Sequence, residues 1–314
     1  MAKRKVVAAI LIGLMVVAGG FYPLYADLIR GEEWETLEGK FKVDLPVFEA
    51  PAREGSFEFT GEFPEVEDEV MVHKVIGPDV TIEKVTEMGR RLGFEGDAGF
   101  IWEGEKIAVV DRSGGEVRQF AVWVNSGAVE YHFVEPDKLY PSTPPSLPSD
   151  EEAKEIATRF LAEAGLLPPG VYASEVVVGG SYGGIEGEWV GHLLVRFDYE
   201  INGFPVTGLG AKFGVRIGDK GEVVNMFLVW REVEPYGKIP IKTPHEAYQE
   251  LVASGGSCVS CEKAVVEKIS LAYWMEVCSE KQEYTVPVYE FKGKCLDENG
   301  EYLEDFLGWC EADP

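Results

Sequence analysis

The segment Gly179-Gly180-Ser181-Tyr182-Gly183 has the form G-x-S-x-G, in which a serine on a sharp strand-to-helix turn can act as an acyl-transfer nucleophile. Val176 to Val178 supply a strand before it, but Gly184-Ile185-Glu186-Gly187 follow, with no helical start. Asp198 or Asp219 and then His245 complete the chain order of a hydrolase triad, yet His245 falls in the first turn of an expected helix and nothing brings it to Ser181. The stretch reads as a glycine-rich hairpin loop, and no catalytic residue is assigned.

The five cysteines, Cys258, Cys261, Cys278, Cys295 and Cys310, all lie in the last fifth of the chain. In an exported chain they are disulfide candidates, and the odd count leaves at least one thiol free or paired between molecules. One bridge is expected to tie the tail from Lys294 to Pro314 to the unit before it. Cys258-x-x-Cys261 also fits half a zinc site or a redox pair. Zinc would want a second close pair, and redox catalysis would want the motif opening a helix in a βαβ setting; neither is present. His73, His132, His192 and His245 share no ligand spacing, and Glu65-x-Glu67-Asp68-Glu69 lacks the glycine and spacing of a calcium loop. No cofactor and no metal are expected.

The elements that must position these residues follow from periodicity. Ile82, Val85, Met88 and Leu92 fall on one helical face, with Gly93 placed to stop the helix. Strand-like segments follow at Phe100–Trp102, Lys106–Val110, Glu116–Val124 and Ala128–Val134. A second helix begins after Ser149, an N-cap candidate followed by Asp150, Glu151 and Glu152, and ends at Gly165. Beyond it come a strand from Val171 to Val178 and three long strands within Glu188–Glu234, turning at Asn202-Gly203 and at Asp219-Lys220-Gly221. A third helix starts at Thr243-Pro244, and strands Ala264–Val277 and Tyr284–Phe291 follow. Helix followed by antiparallel strands thus recurs three times, which predicts an α+β fold of repeated units. Pro141-Ser-Thr-Pro-Pro-Ser-Leu-Pro148 can be neither helix nor central strand. It is expected to link a first domain, residues 31–140 with a β-rich stalk, to a second, residues 149–314.

Lys3, Arg4 and Lys5 precede an uncharged run from Val6 to Ala26, about 30 Å long as a helix and enough to cross a bilayer. Residues 1–30 therefore read as an anchor or signal segment, with the N-terminus cytoplasmic and the bulk exported. The competing reading is secretion after cleavage near Ala26. With 29 basic against 55 acidic residues the net charge is −26, which repels nucleic acid and anionic headgroups from the exported part.

The pattern Tyr199-x-Ile201-Asn202-Gly203-x-Pro205-Val206-x-Gly208, followed by Val215-x-Ile217-x-Asp219-x-Gly221-x-Val223, resembles the PepSY-like group. That group includes propeptides of thermolysin-type metalloproteases and membrane-anchored extracytoplasmic regulators of sensor kinases. The resemblance covers Ser149 to Lys292, with Thr81 to Val134 as a divergent copy. It implies a non-catalytic module that binds or restrains a protein partner, either in the membrane or exported. Trp189, Trp230 and Trp274 are candidate interface residues, although their place in the strand periodicity also suits a core. The rival readings are a thiol redox enzyme using Cys258 and Cys261, and a structural component of the cell surface.

Overall fold

The computed structural model describes residues 34, 36–37, 41, 45, 56–113, 115–133, 136–184, 187–254 and 262–314. The expected anchor at 6–26 and both Cys258 and Cys261 lie outside the described residues. Among the described residues no helix is long and apolar enough to cross a membrane.

Among the described residues three α-helices form where capping chemistry favours them. In α1 (Ile82–Arg91) the Thr81 hydroxyl accepts from Lys84 N, and Gly93 closes the helix in the left-handed region at φ 73°. Ser149 and Glu152 cap α2 (Asp150–Ala164) reciprocally, and Gly165 at φ 68° ends it. Thr243 and Glu246 make the same reciprocal pair at the start of α3 (Pro244–Ser254).

The strands after α1 are β3 (Gly99–Ile101), β4 (Lys106–Asp111), β5 (Arg118–Trp123) and β6 (Val129–Phe133). Those after α2 include β7 (Tyr172–Gly184), β8 (Gly187–Asp198), β11 (Phe213–Ile217) and β12 (Val223–Leu228). All eight belong to one antiparallel sheet of order β3-β4-β5-β6-β12-β11-β8-β7. Each helix-plus-four-strand unit ends on its inner strand, and β6 pairs with β12 at the centre. The expected boundary between 31–140 and 149–314 therefore does not separate two domains. Residues 141–148 connect two halves of a single sheet, and the core is shared: Phe160 of α2 packs against Tyr131 of β6 with ring centroids 5.8 Å apart. Proline stiffness in the strap marks a change of sheet face, not a gap in packing.

A second sheet, of order β17-β16-β14-β10-β9, combines the long strands after α3 with short strands from earlier in the chain. It contains β9 (Glu200–Ile201), β10 (Phe204–Thr207), β14 (Lys263–Trp274), β16 (Pro287–Leu296) and β17 (Tyr302–Glu311), with β1 (Phe57–Phe59) parallel to β14. A small sheet joins β13 (Val233–Pro240), β2 (Glu69–Val75) and β15 (Tyr284–Thr285). The turns expected at Asn202-Gly203 and Lys220-Gly221 are present, with positive φ at all four residues. The strand expected between them is not continuous. Its first part, β10, leaves for the second sheet and pairs in parallel with β14, and β11 returns to the first. Between them Gly210 lies so close to Glu276 that a Cβ would sit 1.8 Å from its carbonyl oxygen, which is why a glycine stands at this crossing.

Candidate functional site

Alternation sets up two unlike faces on the larger sheet. Ile107, Val109, Phe120, Val122, Tyr131, Val215, Ile217 and Met226 point to the helices and are buried. Among the described residues no helix lies on the opposite face, and through β6, β12 and β11 its residues are only partly buried. Strand register aligns four of them in one row. Gln119 of β5 pairs with His132 of β6, His132 with Asn225 of β12, and Asn225 with Arg216 of β11. The Arg216 guanidinium donates to Asn225 Oδ1 at 2.7 Å, which leaves the Asn225 NH2 free to point onward. Burial lowers the affinity of the His132 imidazole for a proton; Glu130 opposes this to a smaller extent, and Lys106 adds to it.

Two structures bound this row. At the β4 end, Lys106 is buried between two indoles, its Nζ 4.1 Å from the Trp102 ring and 4.0 Å from the Trp123 ring. Glu130 holds it at 2.8 Å and also accepts from Trp123 Nε1 at 2.6 Å. Trp102 and Glu103 adopt left-handed backbone, φ 51° and 53°, to fold the outer indole over the lysine. The loop after β14 lies beside this group. Arg231 pins it by donating to the carbonyls of Glu276, Val277 and Glu280, and Asn125 donates to Ser279 O. Glu130 and Lys106 both act electrostatically on the Cys278 thiol there, whose pKa is raised chiefly by burial.

At the β7 end, the chain leading into the proline strap crosses the sheet. His192 Nδ1 meets Leu139 O at 3.2 Å, and Tyr140 stacks edge-on against Tyr182 at 5.6 Å. Glycines of β7 and β8 leave room for this crossing. A Cβ on Gly179 would lie 2.3 Å from the His192 ring, and one on Gly191 would lie 2.1 Å from the Tyr182 ring. Burial, and then Arg216, keep His192 neutral to lower pH than a free imidazole. The strap continues to the β11–β12 turn, where Ser146 N donates to Asp219 Oδ1 at 2.7 Å, and so reaches α2 on the opposite face.

Ser181 itself is exposed within β7 and paired in register with Val190 of β8. No elbow forms around it. His245 in α3 stacks against Phe63 at 5.3 Å, and Asp219 serves the strap. The triad residues are thus not assembled, and the glycines expected to form a hairpin loop lie within β7 instead, paired with β8, because the strand runs past Val178 to Gly184.

Among the cysteines, Cys278 and Cys310 are free thiols, Cys278 half-buried and Cys310 buried, with burial pushing the Cys310 pKa up to about 12. Neither forms the disulfide considered for it. Cys295 is fully buried in β16 and is disulfide-bonded. Trp274 is completely buried, its Nε1 donating to Glu276 Oε1 at 2.7 Å, so it is a core residue and presents no interface. Its ring lies edge-on to that of Trp309, from β17 of the same sheet, at 5.4 Å. Trp230 is half-buried and packs on the main core. Trp189 is half-buried, and its Nε1 has no hydrogen-bond partner. The sequence reading missed Gln119, Asn225 and Arg216. Each was visible only as the polar member of an alternating strand. Among the described residues no group of acidic, histidine and cysteine side chains could hold a metal ion.

No family model matches the chain, and no curated protein is significantly similar to it. Among solved structures the chain is similar to an uncharacterized protein from Eubacterium rectale ATCC 33656. The two share 12% identity with a TM-score of 0.42, over 81% of this chain and 87% of that one.

Proposed function

We propose that this is a non-catalytic binding module, held at the outer face of the membrane by residues 6–26, that regulates or restrains a protein partner. The partner lies on the helix-free face of the larger sheet. The observation that carries this reading is the polar row Gln119, His132, Asn225 and Arg216, partly exposed across four adjacent strands whose other face is solid core. Polar residues aligned across a sheet and backed by a rigid core form a preorganised surface that loses little entropy on binding. The arrangement around Ser181 lacks the helix and base that a hydrolase needs.

The test is site-specific photo-crosslinking in the native membrane, with the reactive group at Asn225 and, as control, at Glu155 on α2. A discrete adduct from Asn225 that is absent from Glu155 is the expected result. Equal or absent crosslinking at the two positions would reject the reading. An adduct only with a second copy of the chain would replace it with self-association of a surface component.

A further inference from the structure

Resting on that binding role, we infer that the row from Gln119 to Arg216 recognises an extended, carboxylate-bearing segment of the partner protein. All four side chains can donate hydrogen bonds outward, and none carries negative charge. Asn225 uses its oxygen on Arg216, so its amide NH2 is what the row presents.

The charge pattern of the same face is selective. Lys106 is paired with Glu130 at 2.8 Å, and Arg196 with Glu175 at 3.0 Å. Arg216 stands between these pairs and, among the described residues, meets an amide instead of a carboxylate. In a chain with 55 acidic and 29 basic residues, a partly exposed guanidinium without an acidic neighbour runs against the composition. It leaves the planar fork of an arginine open to a carboxylate from elsewhere, the group it binds best through two parallel hydrogen bonds.

Size favours a peptide over a small anion. Adjacent strands are about 4.8 Å apart, so the row spans about 14 Å, the length of roughly four extended residues. Tyr140, which is 59% exposed, and Tyr182 form an aromatic wall at its Arg216 end against which such a segment can lie.

The experiment uses the full chain in detergent and two fluorescein-labelled ten-residue peptides, one alternating Glu and Thr, the other alternating Gln and Thr. Fluorescence anisotropy at low salt is expected to show saturable binding of the Glu peptide at least tenfold tighter than the Gln peptide. Arg216→Gln should remove that tenfold preference, Arg216→Lys should retain part of it, and Arg159→Gln on exposed α2 should leave it intact. An unchanged thermal melt of each variant separates a lost contact from a lost fold. Equal affinity for the two peptides, or equal loss from Arg159→Gln, would overturn the inference. If the crosslink from Asn225 persists while the Glu peptide fails, the chemistry assigned to the partner falls and the binding role stands. If both fail, both fall.

Discussion

His132 and Asn225 face each other across the β6–β12 junction, and they are the point at which the two helix-plus-strand units become one sheet. The larger sheet is arranged around this junction: four strands to either side, counting β6 and β12, with α1 and α2 on one face and the polar row on the other.

Cooperativity follows from that junction. With its central pairing and the Phe160–Tyr131 packing shared between units, the body should unfold in one transition. Circular dichroism and tryptophan fluorescence melts are expected to coincide. Two resolved transitions would restore the division at residues 141–148.

The crossing between the two sheets gives the sharpest steric test. Gly210→Ala places a methyl group 1.8 Å from Glu276 O, against backbone that cannot retreat as a side chain could. Urea denaturation should show a loss of about 1–3 kcal/mol. Gly77→Ala, where a Cβ would have no atom within 4 Å, is the matched control and should be close to neutral.

Lys106 and Glu130 are a buried pair, with side chains 5% and 17% exposed. Removing one partner strands the other charge, so Lys106→Met or Glu130→Leu alone should cost about 3–5 kcal/mol. The double replacement Lys106→Met with Glu130→Leu should recover part of this, since neither charge is then left unpaired, although Trp123 Nε1 loses its acceptor. A double-mutant cycle read by chemical denaturation decides it. Strictly additive losses would contradict the pairing.

Acid should destabilise the protein through His73. Its ring is buried in β2, edge-on to Tyr273 at 4.9 Å, and Nδ1 has no hydrogen-bond partner. Burial lowers its pKa from 6.5 to about 4. The unfolded chain therefore takes up a proton at higher pH than the folded one. The contribution to stability is complete above pH 6.5, declines as the pH falls from about 6.5 to about 4, and changes no further below that. Its size is about 3 kcal/mol, from roughly 1.4 kcal/mol per pH unit. Urea midpoints measured from pH 7 to pH 4 should show the decline, and His73→Phe should remove most of it. An unchanged slope in that variant would place the acid sensitivity elsewhere.

Local chemistry was legible from the sequence wherever one residue acts on its near neighbours. Ser149 with Glu152, Gly93 and Gly165, and Asn202-Gly203 all sit where their capping and turn preferences put them, because those preferences are satisfied within a few residues of backbone. The α+β character followed from the same signals. Which strand lies beside which was decided only in three dimensions. Alternation shows that His132 and Asn225 belong to amphipathic strands, but register between residues 93 positions apart depends on closing a long loop and packing two units together. Gly210 looks in sequence like any turn glycine, and its meaning comes from Glu276, which the fold brings against it. Trp274 shows the reverse: strand periodicity allows it either side, and only the sheet packed around it makes it core. The polar row exists for the same reason, since four residues drawn from four strands become one surface only after the sheet has formed.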